Sequence, residues 1–149
     1  MLAKAIVVVG FSRMKKEVNA HATVSESITS RLRAICFELP EAYEEQAWVG
    51  TRWMIRKKNF AHVLVIDSGW PPAYARAAKS EGPLTVLTFR SGARLEASRF
   101  SKAPFFKPVW WPDIAGLAID ATTDWDEAAD LLTASYRLLA PKKLVAQIG

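Results

Sequence analysis

Four cations crowd one short stretch, Arg52, Arg56, Lys57 and Lys58, and Trp48 and Trp53 flank them. Basic side chains interleaved with aromatic ones suit contact with a nucleic-acid backbone, where cations meet phosphate oxygens and rings meet bases. The β-type runs 53–56 and 60–67 bracket Lys57-Lys58-Asn59, which reads as a hairpin turn. A cationic hairpin tip can lie against phosphates or enter a groove. It can equally be a solubility device that keeps a strand edge in water. Arg90, Arg94, Lys142 and Lys143 complete the set of candidate phosphate contacts. The second concentration of chemistry is six tryptophans: Trp48, Trp53, Trp70, Trp110, Trp111 and Trp125. Most are expected to pack in a core or under a lid. Trp70, Trp110 and Trp111 are the candidates for an aromatic-walled pocket taking a small molecule or a protein segment.

Enzyme signatures are missing. No G-x-G-x-x-G or G-x-x-x-x-G-K-[ST] marks a phosphate-cradling loop, and there is no G-x-S-x-G elbow or H-E-x-x-H pair. His21 and His62 lie 41 positions apart. His62 sits within an apolar run and reads as a packed or hydrogen-bonded side chain. Glu44 and Glu45 would point to opposite faces of a strand, and Asp124 and Asp126 are accounted for by helix capping. Cys36, the one cysteine, falls on a helical apolar stripe and reads as a small buried hydrophobe. One cysteine excludes an intrachain disulfide and a cysteine-built zinc site. These observations favour a non-enzymatic domain with no cofactor and no metal.

The elements that must position these residues fit within one domain of 149 residues. Half of the chain is apolar, and it holds only seven glycines and eight prolines, so disordered and collagenous classes are excluded. No apolar run approaches the roughly 20 residues of a membrane span, and a cytoplasmic, reducing location is expected. The formal charge of +5 is unevenly spread: residues 1–58 and 59–111 each carry +4, and residues 112–149 carry −3. A positive body with an acidic tail suits a polyanionic partner.

Residues 1–22 read as an N-terminal arm or added strand, and 23–149 as a single domain. Thr23-Val24-Ser25-Glu26 has capping-box spacing, and Val24, Ile28, Leu32, Ile35, Cys36 and Leu39 give a helical stripe that Pro40 ends. Strands are expected at 43–49, 53–56, 60–67, 83–90 and 114–120. In 60–67, Ala61, Val63 and Val65 share one face, while Phe60, His62, Leu64 and Ile66 share the other, so that strand is expected to be central. Short helical turns are expected at 73–79 and 94–100, and 104–112 is extended and aromatic. A last helix spans 124–140, with Trp125, Ala128, Ala129, Leu132, Tyr136 and Leu139 on its apolar face. The fold class is therefore α+β: a two-layer sandwich, its antiparallel sheet packed against N- and C-terminal helices.

Several strings in this order resemble the MmcQ/YjbR-like family. They are Arg31-Leu32-Arg33, Leu39-Pro40-Glu41, Lys57-Lys58-Asn59-Phe60-Ala61-His62, Trp70-Pro71-Pro72-Ala73-Tyr74 and Gly82-Pro83. Val86-Leu87-Thr88-Phe89-Arg90-Ser91, Asp124-Trp125-Asp126-Glu127, Ser135-Tyr136 and Ala140-Pro141-Lys142-Lys143-Leu144 complete them. The resemblance covers roughly residues 30–148 and leaves the N-terminal arm unexplained. It implies a compact fold likened to frataxin and secretion chaperones, and DNA binding through a double-wing arrangement. It carries no catalytic motif. The expected partner is DNA, bound weakly through its backbone, by a monomer or homodimer.

Overall fold

The computed structural model describes residues 22–92, 99–108 and 111–148. In chain order the elements are α1 (Glu26–Cys36), β1 (Tyr43–Gln46), β2 (Thr51–Ile55), β3 (Lys58–Ile66), α2 (Pro72–Ala78), β4 (Leu84–Arg90), β5 (Phe105–Phe106), β6 (Ile114–Ile119), α3 (Trp125–Leu139) and α4 (Lys142–Val145). The strands form one sheet in the order β1-β2-β3-β4-β6-β5, with every neighbouring pair antiparallel. This is the α+β sandwich that the two apolar helix stripes require. The predicted helix over 94–100 lies largely outside the described residues, as does the N-terminal arm up to His21.

α1 and α3 cover one face of the sheet. Leu32 and Cys36 from α1, Leu132 and Tyr136 from α3, and Trp53, Val63, Leu87 and Leu117 from the strands form one buried core. The short α2 covers part of the other face, placing Tyr74, Ala75 and Ala78 over Leu64, Ile66 and Val86. β3 is therefore central and apolar on both sides, as its composition predicts.

Three local expectations are corrected. The cap of α1 is Ser25, not Thr23: the Ser25 hydroxyl accepts the Ile28 amide at 3.3 Å. The tight turn of the β2–β3 hairpin is Arg56-Lys57, while Lys58 and Asn59 already belong to β3. Phe60 does not share the face of His62. The ladder pairs Trp53 with Ala61 but Met54 with Asn59, leaving Phe60 as an extra residue in a bulge. The bulge turns Phe60 onto the helical side, where its ring meets Tyr136 edge-on at 5.5 Å.

The Ser135-Tyr136 pair holds this end together. Phe60 and Arg90 lie one residue past the last β3–β4 ladder pair, Ala61 with Phe89. The Ser135 hydroxyl fills the gap, accepting the Arg90 amide at 2.8 Å and donating to the Phe60 carbonyl at 2.6 Å. The Tyr136 hydroxyl donates to the Pro40 carbonyl at 2.7 Å, tying α3 to the turn after α1. Burial and the nearby Glu41 carboxylate push its phenol above the ordinary range.

Candidate nucleic-acid interface

The cationic hairpin is a two-residue turn with both residues in left-handed backbone, Arg56 at φ 50° and Lys57 at φ 67°. Two positive φ angles identify the type I′ geometry, which favours Asn-Gly because a Cβ is strained there. Here two long cationic side chains occupy it.

The structure sorts the sequence-predicted cations into two classes. The arginines are paired. Arg52 donates Nε to Glu45 Oε1 at 2.8 Å, and its Nη2 bonds the same oxygen. Arg56 Nη2 meets Glu41 Oε1 at 2.9 Å. Arg90 Nη1 meets Asp113 Oδ2 at 2.7 Å, and its Nε donates to the Asn59 carbonyl at 3.3 Å. A carboxylate at that distance satisfies much of what a phosphate would. Arg94 lies outside the described residues. Lys57, Lys58, Lys142 and Lys143 are exposed and make no ion pair among the described residues.

Lys57 and Lys58 sit at the end of the sheet that meets the last turns of α3. Phe60, two residues beyond Lys58, touches Tyr136. Arg56 and Glu41 lie close enough to Tyr136 for their charges to act on its phenol. Lys142 and Lys143 follow the C-terminus of α3 directly. The acidic cap of α3, Asp124 with Asp126 and Glu127 in the first turn, lies a helix length away, about 22 Å for fifteen residues.

One charged network was not foreseen in the sequence. Arg33 binds Glu44 with Nε at 2.8 Å and Nη2 at 2.9 Å, and the Trp53 indole donates to the same carboxylate at 3.0 Å. These bonds hold the Glu44 carboxyl below its ordinary pKa. Glu44 and Glu45 do point to opposite faces, but the arginines that claim them are distant or offset in sequence.

The aromatic candidates separate. Trp110 lies outside the described residues. Trp111 stacks obliquely on Tyr74 at 5.2 Å. Trp70 meets Trp48 edge-on at 5.5 Å and 65°. Trp48 and Trp70 line a groove of about 390 Å³ between the start of α1 and the β1–β2 loop, with Arg33 and Glu26 on its wall. Trp48 is 86% exposed and Trp53 fully buried. The Gly50 that ends the β1–β2 loop was the available signal that Trp48 stands at a turn. His62 is a structural residue. Its Nε2 lies 2.6 Å from the Val49 carbonyl, which can only accept, so Nε2 carries the proton. Tyr74 approaches Nδ1 at 3.4 Å. Burial lowers the His62 pKa. Cys36 is buried, and burial raises its thiol pKa far above the reactive range.

Among the described residues, no cluster of His, Cys, Asp and Glu could hold a metal ion, and no helix is long and apolar enough to cross a membrane. No family model, curated protein or solved structure matches the chain.

Proposed function

We propose that this domain binds nucleic acid without sequence preference, through phosphate contacts made by Lys57, Lys58, Lys142 and Lys143, and that it is not an enzyme. One observation carries the reading: among the described residues these four lysines have no carboxylate partner, whereas Arg52, Arg56 and Arg90 are each paired with one. Unpaired ammonium groups release counterions on meeting phosphates, and that release is the main drive of backbone binding. The turn adds support. A hairpin that only needed a soluble tip would use Asn-Gly, and here left-handed backbone is retained at two cations. The resemblance to MmcQ/YjbR-like proteins points the same way.

The test is a salt titration on duplex DNA, begun at low salt because non-specific affinity is about micromolar or weaker at physiological salt. Four phosphate contacts predict a slope of log K against log salt near about −3.6. Lys57→Ala with Lys58→Ala should flatten it by about 2 and weaken all sequences alike. Arg52→Ala should leave the slope unchanged, since its charge is committed to Glu45. Absence of binding at low salt, or a wild-type slope in the double variant, overturns the proposal.

A further inference from the structure

The groove at the opposite end of β2 from the cationic turn has a different chemistry. Its outer lip is Trp48, an indole left 86% exposed. That exposure is costly, because a ring of this size stabilises a fold mainly by being buried. The loop nevertheless holds it in place. The Ala47 amide donates to the Gly50 carbonyl at 3.0 Å, and His62 Nε2 donates to the Val49 carbonyl at 2.6 Å. The ring edge rests against Trp70. An exposed aromatic surface fixed from both sides has already lost the freedom that binding would otherwise remove.

The groove's charge selects the occupant. Among the described residues that line it Arg33 is the one cation, and its Nε and Nη2 are both committed to Glu44. A second carboxylate, Glu26, lines the groove 3.6 Å from the same guanidinium. One positive charge faces two negative ones, so an anion is disfavoured and the surplus is negative, in a chain whose formal charge is +5. Glu26 accepts from the Ser30 hydroxyl at 3.3 Å and shares Arg33 with the closer Glu44, and an indole face beside a carboxylate only partly balanced in this way is an environment that attracts an ammonium group.

We infer that the Trp48–Trp70 groove is a binding site for an organic ammonium cation, held over the Trp48 indole and neutralised by Glu26. A small quaternary amine and a methylated lysine side chain present this same group. The groove's volume of about 390 Å³ is ample for either.

Calorimetric titration of the full chain with choline and with its uncharged isostere, 3,3-dimethylbutan-1-ol, isolates the charge. Choline should bind about tenfold more tightly than the alcohol. Trp48→Ala should abolish choline binding, Trp48→Phe should retain part of it, and Glu26→Gln should weaken it several-fold. Trp48 and Glu26 are both exposed, and melting curves check that the variants remain folded. A trimethyllysine peptide separates the sources: tighter binding than choline assigns a protein side chain, and equal or weaker binding assigns a small amine. No choline binding, equal affinity for the alcohol, or unchanged affinity in folded Trp48→Ala overturns the inference.

Discussion

Both ends of the β2–β3 ladder place residues in left-handed backbone, and they fill those positions differently. At the groove end the residues are mostly glycine: Gly50 at φ 78°, Gly69 at 74° and Gly82 at 85°. Ser68 in the same turn and Lys79 at the C-cap of α2 are the exceptions there. At the other end they are Glu41, Arg56 and Lys57, all charged. At Gly50 and Gly82 the reason is steric. A Cβ on Gly50 would lie 2.0 Å from the Val63 carbonyl oxygen, and one on Gly82 2.0 Å from that of Ile66. At the cationic tip no such approach explains the residues. There the chain tolerates strain and keeps the charge, which is the pattern expected where a side chain serves binding more than folding.

The largest test of this contrast strikes the anchor of the cationic end. Tyr136→Ala should cost about 3–5 kcal/mol, because it empties a fully buried ring site under Phe60. Tyr136→Phe keeps the ring and strands the Pro40 carbonyl, so about 1 kcal/mol is expected. Chemical denaturation of both variants measures the difference. Equal losses would mean that the hydroxyl, not the ring, holds the tip to α3.

At the groove end, Gly50→Ala and Gly69→Ala separate backbone strain from collision. Both need left-handed backbone, which costs a residue bearing a Cβ about 1–2 kcal/mol. Gly69 has nothing within 4 Å of the added Cβ, while Gly50 meets backbone. Gly50→Ala should therefore be the more destabilising by at least about 1 kcal/mol. Similar melting temperatures for the two would place the constraint in φ alone.

The cationic turn should behave in the opposite sense. Replacing Arg56 with Asn and Lys57 with Gly gives the residues that a type I′ turn favours. Relief of strain should stabilise the fold by about 1–2 kcal/mol, less whatever the Arg56–Glu41 pair contributes, about 0–1 kcal/mol at this exposure. The same variant should bind DNA more weakly. A gain in stability with a loss of binding would establish that the turn is kept for its charge. A loss of stability would show that the Arg56–Glu41 pair outweighs the strain.

The sheet and both long helices were legible in the sequence because each rests on periodicity. The stripe from Ile28 to Cys36 and that from Trp125 to Leu139 have no partner but a sheet face, and β3 is apolar on both faces. What escaped depends on register and distance. Phe60 changes face because of one extra residue in β3, which no period-2 count contains. The neutralised state of Arg52, Arg56 and Arg90 depends on carboxylates seven, fifteen and twenty-three residues away. Residue type marks a cation, and only the fold shows whether it is already paired. Trp48 and Trp53 are five residues apart and look alike in sequence. One is exposed at a loop tip, and the other is buried under α1 because the strand turns it inward.

The smallest effect expected is a difference in pH response between the two ends. His62 pins the groove loop as a neutral ring, with its Nε2 proton on the Val49 carbonyl and its Nδ1 facing the Tyr74 hydroxyl. Burial lowers its pKa, the Val49 bond opposes this, and the Arg52 charge adds to the lowering. Glu45 offsets Arg52 but sits on its far side in the ladder, which pairs Arg52 with His62. A folded pKa below the unfolded value of about 6.5 means that the unfolded chain binds the proton first as pH falls. This contribution to stability is thus complete above about pH 6.5 and declines as pH drops toward the folded pKa. His62→Gln can keep an amide donor for Val49 and has no proton to take up, so its stability should change less between pH 7.5 and 5.5, roughly the span around that value. Melts of both proteins at the two pH values measure the difference. The cationic end has no histidine among its described residues, so Lys57→Ala with Lys58→Ala should track the wild-type pH profile. If His62→Gln also tracks it, protonation of His62 does not loosen the groove loop, and the fixing of Trp48 rests on Gly50 and the Trp70 edge alone.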